Sequence, residues 1–337
     1  MAAPGLSTQG LTKIFGSRAH SHLAAVRAGL GRDALRERHG HVLALHDVSL
    51  EVPGGAVTVV MGLSGSGKST LLRVLNRLVE PTAGQVRAGG VDVTALAPAA
   101  LQAFRRTHTA MVFQRFALFP HRSVLRNVQY ALELQRAAPA LRDAAARRWI
   151  ARVGLAGFEH RFPSELSGGM QQRVGLARAL AGDAPILLLD EPFSALDPLT
   201  RADMQDLLLG LQQELRKTVV FITHDLDEAL RLGERIVILR DGRVLQQGTP
   251  ADIVLRPADE HVQRFVRDVN RGRALRCGAL LRPGLAATGP ALAVDATLAE
   301  AARAMQAAGA AEAQVCGADG RVLGRLTLTD VVAQLAA

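Results

Sequence analysis

Residues 61–70 read Met-Gly-Leu-Ser-Gly-Ser-Gly-Lys-Ser-Thr, and their types and spacing suit one task, the holding of a polyphosphate. The glycines let successive backbone N–H groups turn inward as an anion-binding nest. Lys68 is placed to reach β- and γ-phosphates, and the Ser69 hydroxyl to ligate Mg²⁺. Before the loop runs Val57-Thr58-Val59-Val60, a β-branched strand signal; after it Leu71, Leu72, Leu75 and Leu78 recur at helical spacing. Gly62, Gly67, Lys68 and Ser69 thus complete G-x-x-x-x-G-K-[ST] between a strand and a helix whose positive end faces the same spot. The candidate contacts of this loop are Gly62, Ser64, Gly65, Ser66, Gly67, Lys68, Ser69 and Thr70. The chain has three lysines, at 13, 68 and 217, and otherwise uses arginine. A compact ammonium fits a tight phosphate cradle where a guanidinium fork does not.

A second group of residues can complete the chemistry. Asp190 ends the apolar run Ile186–Leu189, where a carboxylate beside a phosphate loop can hold Mg²⁺. Glu191 follows and can polarise a water aimed at a γ-phosphate. Ser167-Gly168-Gly169 opens a helix at Val174–Leu180 and offers a second anion site. Gln114 ends the run Met111-Val112-Phe113, and His224 follows the strand pattern 219–223.

The elements that must position these groups alternate strand and helix, which argues for an α/β core. Strand patterns fall at 6–16, 42–61, 185–191 and 219–223, with a hairpin at 85–95 and another around Asp241-Gly242. Residues 18–41 read as an insertion of mixed helical and polar character with four histidines. Residues 99–160 read as mostly helical, 198–216 and 226–233 as helices, 271–290 as a Gly/Arg/Ala-rich linker, and 291–337 as a small β-α-β-α tail.

The 337 residues suffice for two domains, and 48% hydrophobic content excludes a disordered chain. No run approaches the ~18–20 apolar residues of a membrane span, and the start lacks the charged and apolar regions of a secretory signal. Two cysteines, Cys277 and Cys316, suit neither a disulfide framework nor a zinc site and point to a reduced compartment. The net charge of +9 comes from scattered arginines, with Arg105-Arg106 and Arg147-Arg148 only pairs. A general drift toward arginine explains it better than a nucleic-acid surface, while contact with acidic lipid headgroups stays open.

Taken together, these motifs resemble an ATP-binding cassette (ABC) ATPase in order and spacing across residues 6–250. Residues 62–69 match its Walker A, 166–170 its signature, and Asp190-Glu191 its Walker B and catalytic glutamate. Residues 194–197, ending in Asp197, match the D-loop; Gln114 matches the Q-loop, a sensor of Mg²⁺, and His224 the switch histidine. Phe15 stands where the family stacks an aromatic on adenine. The resemblance implies a P-loop NTPase cassette over 1–270: a RecA-like α/β core, an antiparallel β subdomain and a helical subdomain at about 99–170. It also implies ATP and Mg²⁺ as ligands and a head-to-tail homodimer. In such a dimer Ser167, Gly168 and Gly169 serve the partner's ATP, and Glu191, His224, Lys68 and Gln114 act in hydrolysis.

Residues 70–165 hold no sustained heptads, there is one cassette, and no membrane span is fused to it, so the chain resembles an importer's separate ATPase rather than a DNA-repair, translation or exporter cassette. Six segments are similar to glycine betaine/proline (quaternary amine) importer ATPases: the insertion within 11–50, the loop 60–69, Leu75–Thr82, Met111–His121, Glu165–Leu180 and His224–Ala229. This likeness implies import of an osmoprotectant through two copies of a permease, with a periplasmic or extracellular solute-binding protein and no nucleic acid. It implies a peripheral position on the cytoplasmic face of the inner membrane, with Phe116–His121 near the permease. The alternative is an importer ATPase for another small solute such as an amino acid, and a third reading, a nucleic-acid-associated ABC ATPase, draws only on the basic charge. The tail, ending Gly324–Val332, resembles one CBS motif in which Thr327 and Asp330 can hold a ribose.

Overall fold

The computed structural model describes residues 3–114, 117–267, 269–284, 286 and 289–336. The chain divides into two compact units, Met1–His224 with Val237–Leu245, and Asp225–Ile236 with Gln246–Ala337.

In the first unit, β1 (Leu6–Phe15) and β2 (Val42–Val52) pair antiparallel and carry the insertion between them. β3 (Val57–Met61) runs into the phosphate loop. β4 (Ala83–Ala88) and β5 (Val91–Asp92) return to β1, giving an antiparallel sheet in the order β2-β1-β4-β5. A second sheet takes β3 together with β6 (Thr109–Val112), β7 (Ile186–Asp190), β8 (Thr218–Thr223), β9 (Arg235–Arg240) and β10 (Arg243–Gly248), in the order β10-β9-β3-β8-β7-β6. β3, β7 and β8 are buried throughout, as parallel strands covered on both faces must be. Strands β3, β8, β7 and β6 run parallel in register, with Met61 opposite Thr223, Asp190 opposite Ile222, and Val112 opposite Leu189. Their carboxyl ends therefore release Gly62, His224, Glu191 and the Phe113-Gln114 segment at one edge, where ligands of open parallel sheets bind.

The helix Lys68–Leu75 buries Leu71, Leu72 and Leu75 against Val60, Ile186, Leu188, Val220 and Ile222. Leu78, expected on the same face, is exposed: the helix ends at Leu75, and Arg77 at φ 54° turns the chain away. The helices Val124–Leu134, Pro139–Arg152 and Gly168–Ala181 pack together as the helical part of this unit. Asp241 and Gly242 both take positive φ, 51° and 77°, as a two-residue hairpin turn between β9 and β10 requires.

In the second unit, β11 (Ala291–Ala293), β12 (Glu312–Cys316) and β13 (Val322–Thr327) form a three-stranded sheet backed by the helices Leu298–Ala307 and Leu328–Leu335. The stretch 271–290, read from composition as a linker, is docked over its described first half. Arg276 bridges Thr297, Arg282 bridges Arg325, and the Cys277 N–H donates to Ala296 O at 2.8 Å. Its few apolar residues are the reason, because Leu275 and Cys277 are buried as anchors. Burial also pushes the Cys277 thiol up to about 11, so it is a packing group and not a reactive one.

Candidate nucleotide-binding site

Gly67 holds one of the phosphate loop's tight points. Its φ is +104°, and an added Cβ would lie 2.5 Å from the Ala44 carbonyl, so backbone and β2 approach each other as only glycine permits. Next to it Lys68 is buried. Its ammonium donates to the carbonyls of Gly62 at 2.8 Å and Leu63 at 3.1 Å, and stands 3.7 Å from Glu191 Oε1. Burial lowers the Lys68 pKa, and Glu191 and Asp190 oppose that shift.

Glu191 is the centre of the constellation. Its backbone sits at φ 44°, in the left-handed region that a glutamate enters only when its surroundings impose it. They do so by bonds from Glu191 N to Ile222 O at 3.1 Å and from Ser194 Oγ to Glu191 O at 3.0 Å. Its carboxylate accepts from Gln114 Nε2 at 3.4 Å and meets His224 Nδ1 at 3.1 Å. Lys68, Gln114 and His224, spread over more than 150 positions of sequence, are thus gathered around one carboxylate, that of Glu191.

The Ser69 hydroxyl donates to Asp190 Oδ1 at 2.8 Å. Asp190 is buried, and desolvation raises its pKa against the lowering pull of Ser69, Arg73 and Lys68. Two oxygen donors this close, one a desolvated carboxylate, form the kind of donor set a hard divalent cation takes. Mg²⁺ therefore fits these residues.

Lys68, Ser69, Gln114, Glu191 and His224 line one open cleft of about 690 Å³ that runs from Phe15 to His224, whereas Gly62, Ser66 and Asp190 are not among its lining residues. Phe15 stands 40% exposed at its far end, with the Lys13 ammonium 4.8 Å from the ring centroid. A cation on one face leaves the other face for a flat base. Phe15→Ala is expected to weaken ATP binding about tenfold through lost base stacking, and Phe15→Trp to retain it; fluorescent nucleotide titration checks both.

Ser167, Gly168, Gly169 and Asp197 do not line this cleft. They sit on two neighbouring helix starts instead. Ser167 Oγ accepts from Met170 N at 3.3 Å, Asp197 accepts from Thr200 N at 3.0 Å, and a Cβ on Gly169 would lie 2.5 Å from Thr200 Cγ2. Phe116, the first residue of the stretch expected near a permease, lies outside the described residues. Within the loop Leu63 also lines the cleft without having been a candidate, and outside the loop three cleft residues escaped sequence reasoning: Arg32, Val42 and Ala44. They come from the insertion and the start of β2, and no local pattern ties them to the loop.

In the tail, Thr327 Oγ1 and Asp330 Oδ2 bond each other at 2.7 Å, and Arg282 holds Asp330 at 2.6 Å. The pair caps the helix Leu328–Leu335, and the Thr327 hydroxyl and Arg282 hold the Asp330 carboxyl below its usual range.

A parallel sheet with a glycine-rich phosphate loop, an acidic pair at the next strand but one and a histidine between them defines a P-loop nucleotide-binding cassette. The ABC transporter family matches residues 45–194, and the chain belongs to that family. It is 48% identical over 277 residues to the glycine betaine transport ATP-binding protein OpuAA of Bacillus subtilis, covering 82% of this chain and 66% of that one. It is 46% identical over 303 residues to the trimethylamine N-oxide transport system ATP-binding protein TmoW of Ruegeria pomeroyi, covering 90% and 89%. The chain thus spans about two thirds of OpuAA and most of TmoW. Among solved structures it resembles the dimeric ATP-binding cassette MJ0796 bound to ADP and Pi, with TM-score 0.62 and 34% identity over 72% of this chain and 98% of that one.

Proposed function

We propose that this chain is the ATP-hydrolysing subunit that energises import of glycine betaine, proline betaine or a related osmoprotectant through a separate permease. The observation that carries the ATPase reading is the Glu191 carboxylate, held by Gln114 and His224 above the Lys68 ammonium. The relatives, named for glycine betaine and trimethylamine N-oxide transport, support the substrate class.

ATP binds with its base on Phe15 and its β- and γ-phosphates in the loop 62–69, where Lys68 trades its loop carbonyls for phosphate oxygens. Ser69, Asp190 and Gln114 would hold Mg²⁺, which would supply neutralisation of charge on the phosphate oxygens. Glu191 orients and deprotonates the attacking water. His224 steadies that water and the γ-phosphate, and Lys68 stabilises the charge that develops in line.

Because the signature residues lie off the cleft, the site is completed by a second copy. A head-to-tail dimer brings Ser167, Gly168 and Gly169, a helix N-terminus, to the partner's γ-phosphate, with Asp197 at the seam. The dimeric state of the MJ0796 cassette supports this arrangement. Ser167→Arg is then expected to bind ATP in its own cleft yet lose ~10²–10³-fold in hydrolysis, measured as phosphate release by the purified chain. Wild-type turnover in that variant rejects the shared site.

Each cassette docks one permease subunit at the cytoplasmic face of the inner membrane. A groove of about 260 Å³, lined by Phe113, Phe119, Tyr130 and Leu134 together with Arg105 and Arg178, and reached through Phe113 next to Gln114 in sequence, suits a permease helix. No described helix is long and apolar enough to cross a membrane, so the membrane part is supplied by the permease in this reading. Solute reaches that permease from an external binding protein.

The tail is proposed as a single CBS-like accessory module on the cassette. The mutual bonding of Thr327 and Asp330 favours a packing role over ribose binding. Removing residues 271–337, a cut that takes the Leu275 and Cys277 anchors with it, is expected to leave the ionic-strength dependence of uptake unchanged. A flattened dependence assigns the module a regulatory role instead.

A further inference from the structure

The insertion between β1 and β2 reaches the nucleotide cleft. Ile14, Val26, Leu35 and Leu43 form a small core of their own, with Ala19 and Leu30 against it. The His41 ring lies 2.6 Å from both Ser17 O and His39 O. That core is rooted in β1 and β2, next to Phe15 and Val42, which line the cleft. The insertion is therefore a built wall rather than a loose loop.

Arg32 opens its second helix, Arg32–His39. A cation in the first helical turn faces the positive end of the dipole, the unfavourable place for it. What holds it there lies across the cleft, 33 residues away in sequence: Nη2 donates to the Gly65 carbonyl of the phosphate loop at 2.9 Å. Nη1 reaches Asp241 Oδ1 at 3.4 Å. Asp241 is well exposed, so this ion pair contributes little in water. A guanidinium has five donors, and Arg32 also lines the cleft that Phe15 and Lys68 share.

We propose that Arg32 is a nucleotide-contacting residue supplied by the insertion, which makes residues 16–41 part of the ATP site. Arg32 ties down the outward carbonyl of Gly65, so that the loop's N–H groups stay turned toward the phosphates. It also presents a second positive charge, beside Lys68, to the polyphosphate. The insertion thereby couples base stacking at Phe15 to phosphate binding at the loop. This inference rests on the ATP-binding reading of the cleft.

The test titrates N-methylanthraniloyl derivatives of ATP, ADP and adenosine into the full-length wild type, Arg32→Gln and Asp241→Asn, with a thermal melt of each. Asparagine tolerates the positive φ of the turn, so the second variant removes only the charge. Arg32→Gln is expected to weaken ATP and ADP about tenfold, leave adenosine unchanged and melt like wild type. Asp241→Asn is expected to bind ATP as tightly as wild type or more so, because the guanidinium loses a competitor. Three results overturn the proposal: unchanged ATP affinity in Arg32→Gln, an equal loss in Asp241→Asn, or an equal loss for adenosine. If the wild type itself binds no triphosphate, the ATP-binding reading falls first; if it binds and Arg32→Gln matches it, only the role of Arg32 is wrong.

Discussion

Glu191→Gln retains ATP binding and loses ~10²–10⁴-fold in turnover, the usual worth of a positioned general base. The carboxylate sits at the meeting point of Gln114, His224 and Lys68, and its backbone is strained into φ 44° to put it there. Glutamine keeps the size and one carbonyl acceptor, so Gln114 and His224 keep a partner while the base is gone. With hydrolysis blocked, the ATP that joins two copies is not consumed, and the variant accumulates as a dimer. Gel filtration with and without MgATP, beside a phosphate-release assay, reads both effects. Full turnover in this variant removes Glu191 from the reaction.

Lys68→Ala loses ~10²–10³-fold in ATP affinity, since truncating one partner of a buried charge pair costs about 2–5 kcal/mol. The buried ammonium is held in place by the Gly62 and Leu63 carbonyls. Its removal takes away the charge facing the phosphates and leaves Glu191 and Asp190 without their nearest cation in the loop. Like charge then meets like when a polyphosphate enters. Lys68→Arg does not rescue, because the broad guanidinium meets the same close carbonyls. Equilibrium binding of a fluorescent ATP analogue gives the number directly.

Much of this site was legible because its parts are local. The strand–loop–helix at 57–75 is declared by β-branched residues, glycines and leucine spacing over twenty positions. The Ser69–Asp190 bond realises what an oxygen donor and a strand-end carboxylate suggest separately. What stayed hidden depends on contacts between distant residues. Leu78 shares the period of Leu71 and Leu75, but periodicity cannot see the left-handed turn at Arg77 that ends the helix. A linker composition at 271–290 conceals Leu275 and Cys277, since two anchors are too few to set a pattern. Arg32 resembles every other arginine of an arginine-rich chain until the fold sets it 2.9 Å from Gly65. The resemblance to a CBS motif implies a ribose site at Thr327 and Asp330, and the same spacing is that of a helix cap, which the two residues form.

The central claim, ATP hydrolysis at this cleft driving osmoprotectant import, is tested most directly by uptake of labelled glycine betaine. Cells lacking the chain are compared with cells carrying the wild type or Lys68→Ala, with proline, choline and methionine as parallel solutes. The account predicts uptake of betaine, choline or proline that the wild type restores and Lys68→Ala does not. Restoration by both forms alike, or a response confined to methionine, contradicts it.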